Sequence, residues 1–213
     1  MNVKLLNIIA LCIFTGAPAY SIASDAGNHK HNDSRHHHDA YDKRSNAHHN
    51  DRAIINALKK QLQEVAMTRK MEQKNLANFN DLDFNVFSNQ KWEELGRSHH
   101  QNIIVHWPDG RVTTGIDTHI SDLKAMFHYA PDTRITEHPI SIASGEWTAV
   151  FGFIEGTFTQ PMITPDGQTI PPTGKSYKLG MITIGHWTKD GVMDEEWLQW
   201  DNQSFMKQLG LIP

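Results

Sequence analysis

From Asp51 onward, Ile54, Leu58, Leu62 and Val65 recur at helical spacing, with Lys59, Lys60 and Glu64 off the stripe. That periodicity predicts an N-terminal helix or stalk over residues 51–69. A second stripe follows at Leu76, Phe79, Leu82, Val86 and Phe87, and then a short helix around Trp92–Leu95 for which Ser88 is a plausible cap. Asn102–Trp107 reads as a strand stopped by Pro108-Asp109-Gly110, a strong turn signal. Ile116, Ile120, Leu123 and Phe127 mark one face of a helix ending before Pro131. The period then switches to two. Arg134–Ala143, Glu146–Thr159, Tyr177–Thr188 and Val192–Trp200 read as strands, with a long Pro/Gly-rich loop from Pro161 to Lys175. Asp190-Gly191 turns the last hairpin, and Asp201 opens a short amphipathic helix that stops at Gly210. Helices first and hairpin-linked strands afterwards predict an α+β fold, with helices packed over one face of a curved antiparallel sheet.

The N-terminus has a different composition. Lys4, the apolar stretch Leu5–Phe14 and the small residues of Ala17-Pro18-Ala19 and Ser21-Ile22-Ala23 read as a signal peptide over residues 1–23. The expected location is periplasmic or secreted, with no membrane attachment after cleavage. Cys12 is the one cysteine and lies inside that stretch. The mature chain therefore has no disulfide, thiol nucleophile or thiolate ligand, and must hold together by its core. Residues 24–50 hold seven of the fourteen histidines (His29, His31, His36, His37, His38, His48 and His49) with almost no apolar company. Such a segment is expected to be disordered. It is either a solvated spacer or a weak binder of divalent metal, through side chains such as His36, His37 and His38. The formal charge of −4, without a Lys/Arg stripe in the body of the chain, gives nucleic-acid binding little support.

The order of elements resembles the nuclear-transport-factor-2-like cone fold and, within it, the SnoaL-like polyketide (ester) cyclases. The resemblance is carried by Val105-His106-Trp107-Pro108-Asp109-Gly110, Thr114-Gly115-Ile116, Ala130-Pro131-Asp132, Asp190-Gly191 and Asp201 through Gln208-Leu209-Gly210. It covers about residues 70–211, so the domain is expected over 70–213. It implies a cone-shaped pocket between sheet and helices, no cofactor, and a homodimer formed through the sheet. In cyclases of this type a His on the penultimate strand and an Asp on the last perform acid–base catalysis. A gapless alignment places Ile184 and Leu198 at those two positions.

Side chains two apart on a strand share a face, so His186, Glu196 and Trp200 are expected to join Ile184 and Leu198 in the pocket. His186 and Glu196 then become the acid–base candidates, with Asp201 behind them. Each has a structural alternative: a sheet-bonded histidine, a solvated rim residue and a helix cap, respectively. His106, Trp107 and His138 are further ligand-contact candidates, whereas His119 reads as a boundary residue of its helix. His99-His100 with His106 lacks a metal-binding frame, and Pro171–Ser176 lacks the first glycine of a phosphate loop. Trp107, Trp187 and Trp200 favour a small hydrophobic ligand. Three functions are compatible with these features: a cofactor-free cyclase-type enzyme, a binding or carrier domain, and a metal-handling protein acting through its tail.

Overall fold

The computed structural model describes residues 35–164 and 167–213, with side chains from residue 49 onward. The signal-peptide segment and residues 24–34 lie outside the described residues, as do the side chains of His36, His37 and His38. Ile54–Pro213 forms one compact unit. Helix α1 is continuous from Arg35 to Asp81, so its backbone starts before Asp51 and carries the first apolar stripe and the start of the second. The first stripe stays exposed at Ile54, Leu58, Leu62 and Val65, and the helix enters the core only near Phe79. It then loosens into a π-helical turn, Leu82–Phe87, followed by a 3₁₀ turn, Trp92–Arg97. Ser88 does not cap that second turn. Its hydroxyl donates to the Asp83 carbonyl and accepts from the Ile135 N–H, tying the π turn to the sheet.

The remaining elements are β1 (His99–His106), β2 (Val112–Thr114), α2 (Ile116–Tyr129), β3 (Arg134–Ile135), β4 (Ile140–Ser144) and β5 (Trp147–Thr157). They are followed by β6 (Met162–Ile163), β7 (Thr169–Ile170), β8 (Ser176–Trp187), β9 (Met193–Trp200) and α3 (Asn202–Gln208). Pro139 lies between β3 and β4, where sequence periodicity predicts one strand; it has no N–H for the ladder. The open curved sheet runs β2-β1-β9-β8-β5-β3, with β4 also on β5. All pairings are antiparallel except β1 with β9. β6 and β7 form a separate small hairpin inside the expected loop.

The inner face of the sheet packs against the end of α1, the two turns and α2. Phe79, Leu95, Ile103, Phe158, Trp187 and Met193 are almost wholly excluded from water there. Each such side chain contributes about 1.5–3 kcal/mol relative to exposure. The buried Trp187 indole keeps its one donor satisfied by Thr148 Oγ1 at 2.9 Å. The opposite face leaves Ile140, Ile142, Trp147, Ile182 and Ile184 exposed.

One irregularity fixes which residues face inward. The β8–β9 ladder pairs His186 with Glu195 but Trp187 with Met193, so Asp194 is an extra residue in β9. Before this bulge Met193 is buried; after it, Glu196 and Leu198 are. On β8 the buried set is the odd-numbered one, from Tyr177 to Trp187.

Candidate active site

A small cavity lies between the inner sheet face and the helices. Leu82, Leu123, Ile154, Met181 and Leu198 make much of its wall apolar. A smaller neighbouring lobe, bounded by Tyr129, Tyr177 and Phe205, shares Met126, Ile154 and Trp200 with it. The polar side chains on the main cavity's wall are Asp83, His99, His119, Thr183 and Glu196.

Three of these converge. His99 opens β1, His119 sits on the core face of α2, and Glu196 follows the β9 bulge. One ligand-type atom from each lies within 4.8 Å of the others. Glu196 Oε1 is 3.2 Å from His119 Nε2, and Glu196 Oε2 is 3.7 Å from His99 Nε2. Their exposures are 3% for Glu196, 3% for His119 and 2% for His99, so solvent cannot complete their bonding. Glu196 Oε1, His99 Nε2 and His119 Nδ1 have no hydrogen-bond partner among the described residues.

Ser98 Oγ lies 3.1 Å from the Leu95 carbonyl oxygen and 2.9 Å from His99 Nδ1, which leaves Nε2 as the ring nitrogen turned toward the Glu196 carboxylate. Burial pulls the His119 imidazole down to about 4, more than the Glu196 charge restores. Burial pushes the Glu196 carboxyl up, but the His119 and His99 imidazoles outweigh it and its pKa falls below the ordinary carboxylate value. At neutral pH the cavity thus holds an ionised carboxylate beside two imidazoles.

Asp83 lies on another part of the wall, in the π turn. Burial raises its pKa, more than the hydrogen bond and charge of His138 offset. His138 contacts Asn80 Oδ1 through Nδ1 at 2.7 Å and Asp83 Oδ2 through Nε2 at 2.9 Å. The Asn80 oxygen can only accept, so Nδ1 donates to it, and Nε2 and the Asp83 carboxyl share one proton between them. His138 is sealed by Phe84, with ring centroids 4.4 Å apart. It also rests on Gly152, where a Cβ would come within 2.8 Å of its ring.

The structure divides the sequence-derived candidates. Trp107, Glu196, Leu198 and Trp200 line the cavity. Trp107 donates its indole N–H to Thr113 Oγ1 at 2.9 Å. His138 reaches the site through Asp83 and is not itself on the cavity wall. Ile184 and His186 do not share the pocket with Glu196, contrary to strand alternation, and His106, expected as a ligand contact, does not line it either. The bulge at Asp194 reverses the parity of β9 relative to β8, so Leu198 faces inward opposite Thr183, while Ile184 pairs with outward-facing Trp197. His186 instead bonds Asp194 at 2.6 Å and touches Trp147. His106 bonds Glu195 at 2.8 Å and stacks on Trp197 at 4.6 Å between centroids. Asp201 is the cap of α3, accepting from the N–H groups of Gln203 and Ser204 at 2.9 and 3.1 Å. The bonds from Ser204 and the α3 backbone hold its pKa below the usual range.

His99, His119 and Asp83 are the site residues that sequence reasoning missed. One signal was present for His119, which follows Ile116 by three positions and precedes Leu123 by four, on the stripe predicted to face the core.

Comparisons with known proteins agree with this architecture. No curated protein matches the chain. Among solved structures, a candidate SnoaL-like polyketide cyclase from Jannaschia sp. CCS1 is similar with a TM-score of 0.58 at 15% identity, over 67% of this chain and 96% of that one. IdmH, a candidate polyketide cyclase from Streptomyces antibioticus, gives 0.52 at 19% identity, over 65% and 98% of the respective chains. TsrD from Streptomyces laurentii gives 0.53 at 19% identity, over 68% and 98%. At these identities the likeness concerns the fold. The family model described as SnoaL-like polyketide cyclase matches residues 85–209, which include β1 to α3 and the inward-facing residues of the cavity sheet. By this match and this fold, the chain belongs to the SnoaL-like polyketide cyclase family.

Proposed function

We propose that the chain is an exported enzyme performing cofactor-independent acid–base chemistry on a small hydrophobic carbonyl or ester compound. The observation that carries this reading is the convergence of Glu196, His99 and His119 in an otherwise largely apolar, water-poor cavity. In that role Glu196 takes the proton from a carbon next to the substrate carbonyl: the C–H bond breaks and its electron pair moves into the enolate. Asp83, on another part of the wall, passes the proton it shares with His138 Nε2 to the enolate oxygen, and the proton returns to the pair when the enol reverts or reacts on. Two carboxyl groups whose surroundings move their pKa values in opposite directions suit this division of labour. The leader pattern around Lys4, Leu5–Phe14 and Ala17–Ala23 supports export.

The test needs no knowledge of the final product. A panel of β-keto esters and cyclic ketones is incubated with the protein in heavy water, and deuterium uptake at the α-carbon is followed by NMR. Wild type and His186→Ala should accelerate exchange of at least one compound, and Glu196→Gln should not. Ligands that quench the fluorescence of Trp107 and Trp200 without any exchange would make the protein a carrier domain instead.

A further inference from the structure

We propose that His99, His119 and Glu196 form a binding site for one divalent transition-metal ion of the zinc class, with an open coordination position toward the cavity. Tetrahedral zinc with bonds of about 2.0–2.1 Å places its ligand atoms roughly 3.3 Å apart. His119 Nε2 is 3.2 Å from Glu196 Oε1 and His99 Nε2 is 3.7 Å from Glu196 Oε2, so the carboxylate would offer one oxygen toward each imidazole around a shared ion. Two neutral imidazoles and one carboxylate, with a fourth position left for water, are a donor set that zinc accepts.

The unpartnered atoms supply a second, independent observation. His99 Nε2 and Glu196 Oε1 are buried with no hydrogen-bond partner among the described residues. Ser98 engages His99 Nδ1, so Nε2 is the ring nitrogen turned toward the carboxylate. A divalent ion between them would engage His99 Nε2, His119 Nε2 and the Glu196 carboxylate together. The Ser98–His99 bond is also the outer contact that orients a metal-binding imidazole. His138 and Asp83 stay outside the set, since they satisfy one another.

Occupancy would compete with the proposed chemistry, because a metal-bound Glu196 has no free lone pair for a carbon-bound proton. This consequence rests on the catalytic reading; the metal site does not.

The experiment uses the full chain with the seven histidines of residues 24–50 replaced by alanine, so that the tail cannot answer for the cavity. Cobalt(II) is added to metal-free protein and followed by visible absorption, and zinc affinity is measured by competition against a chromogenic chelator. The expected result is one equivalent of cobalt with intense low-symmetry bands, lost in His119→Ala and in Glu196→Gln and retained in His186→Ala. Anomalous scattering from zinc-soaked crystals of the same chain gives a readout that needs no cluster variant to fold. Only the weak spectrum of aqueous cobalt, or bands that survive His119→Ala, or zinc density elsewhere, would overturn the site. If cobalt binds there but zinc leaves deuterium exchange unchanged, the catalytic reading fails and the metal site stands. If exchange depends on Glu196 but no cobalt binds, the metal site alone fails.

Discussion

Asp83→Ala probes the link between the π turn and the cavity. His138 has two partners, Asn80 and Asp83, and its side chain is 4% exposed. Removing the carboxyl leaves Nε2 buried against Phe79, Phe84 and Gly152, where water cannot replace the lost bond. Orphaning a buried polar atom costs about 1–3 kcal/mol. At about 2–4 °C per kcal/mol for a domain of this size, Tm should fall by roughly 2–12 °C. Urea unfolding followed by tryptophan fluorescence, together with calorimetry, measures the change. Asp83→Asn is the decisive companion. If the neutral carboxyl donates to Nε2, an amide N–H can replace it, and the loss should stay below about 1 kcal/mol. If the pair were a buried carboxylate and imidazolium, Asp83→Asn would break it and cost about 3–5 kcal/mol. An Asn variant as unstable as the Ala variant would place the shared proton on His138 and refute the acid role of Asp83.

Three further outcomes follow from the geometry. Gly152→Ala would place a Cβ 2.8 Å from the His138 ring and 3.2 Å from the Glu137 carbonyl oxygen; a loss of about 1–3 kcal/mol is expected by urea unfolding. Asp201→Ala should cost about 1 kcal/mol by removing the α3 cap, and leave ligand quenching of Trp107 and Trp200 unchanged. Tyr177 is held at about 12 by burial, against an ordinary 10.0, while it donates to Thr133 Oγ1 at 2.8 Å. Its folded pKa is raised, so its contribution is complete below pH 10 and is lost as pH rises toward 12. That loss is about 3 kcal/mol, and stability curves for Tyr177→Phe should lack it.

The β5, β8 and β9 strands, the Asp190-Gly191 turn and the Asp201 cap were legible in the chain because each follows from local periodicity or turn chemistry. Glu196, Leu198, Trp107 and Trp200 were likewise legible as pocket residues. His186 and Ile184 were misplaced for one reason. Alternation assumes an uninterrupted ladder, and the extra residue Asp194 reverses it between the turn and Glu196. Nothing in Met193-Asp194-Glu195-Glu196 announces a bulge. The cluster itself is a tertiary product. His99, His119 and Glu196 come from a strand, a helix and a second strand that pairs in parallel with the first. No spacing rule along the chain brings them together. His138 shows the same limit: its partners lie far upstream, Asn80 at the end of α1 and Asp83 in the π turn that follows.

Whether chemistry belongs to the inner cavity or to the His186 face of the sheet is decided by a crystal structure of the protein soaked with a planar enolate mimic, such as a substituted phenol. The phenol oxygen is expected within hydrogen-bond reach of Glu196, His119 or Asp83, with its ring against Leu198 and Trp200. A phenol seated instead between Trp147 and His186, with the cavity unchanged, would contradict the inner-cavity assignment.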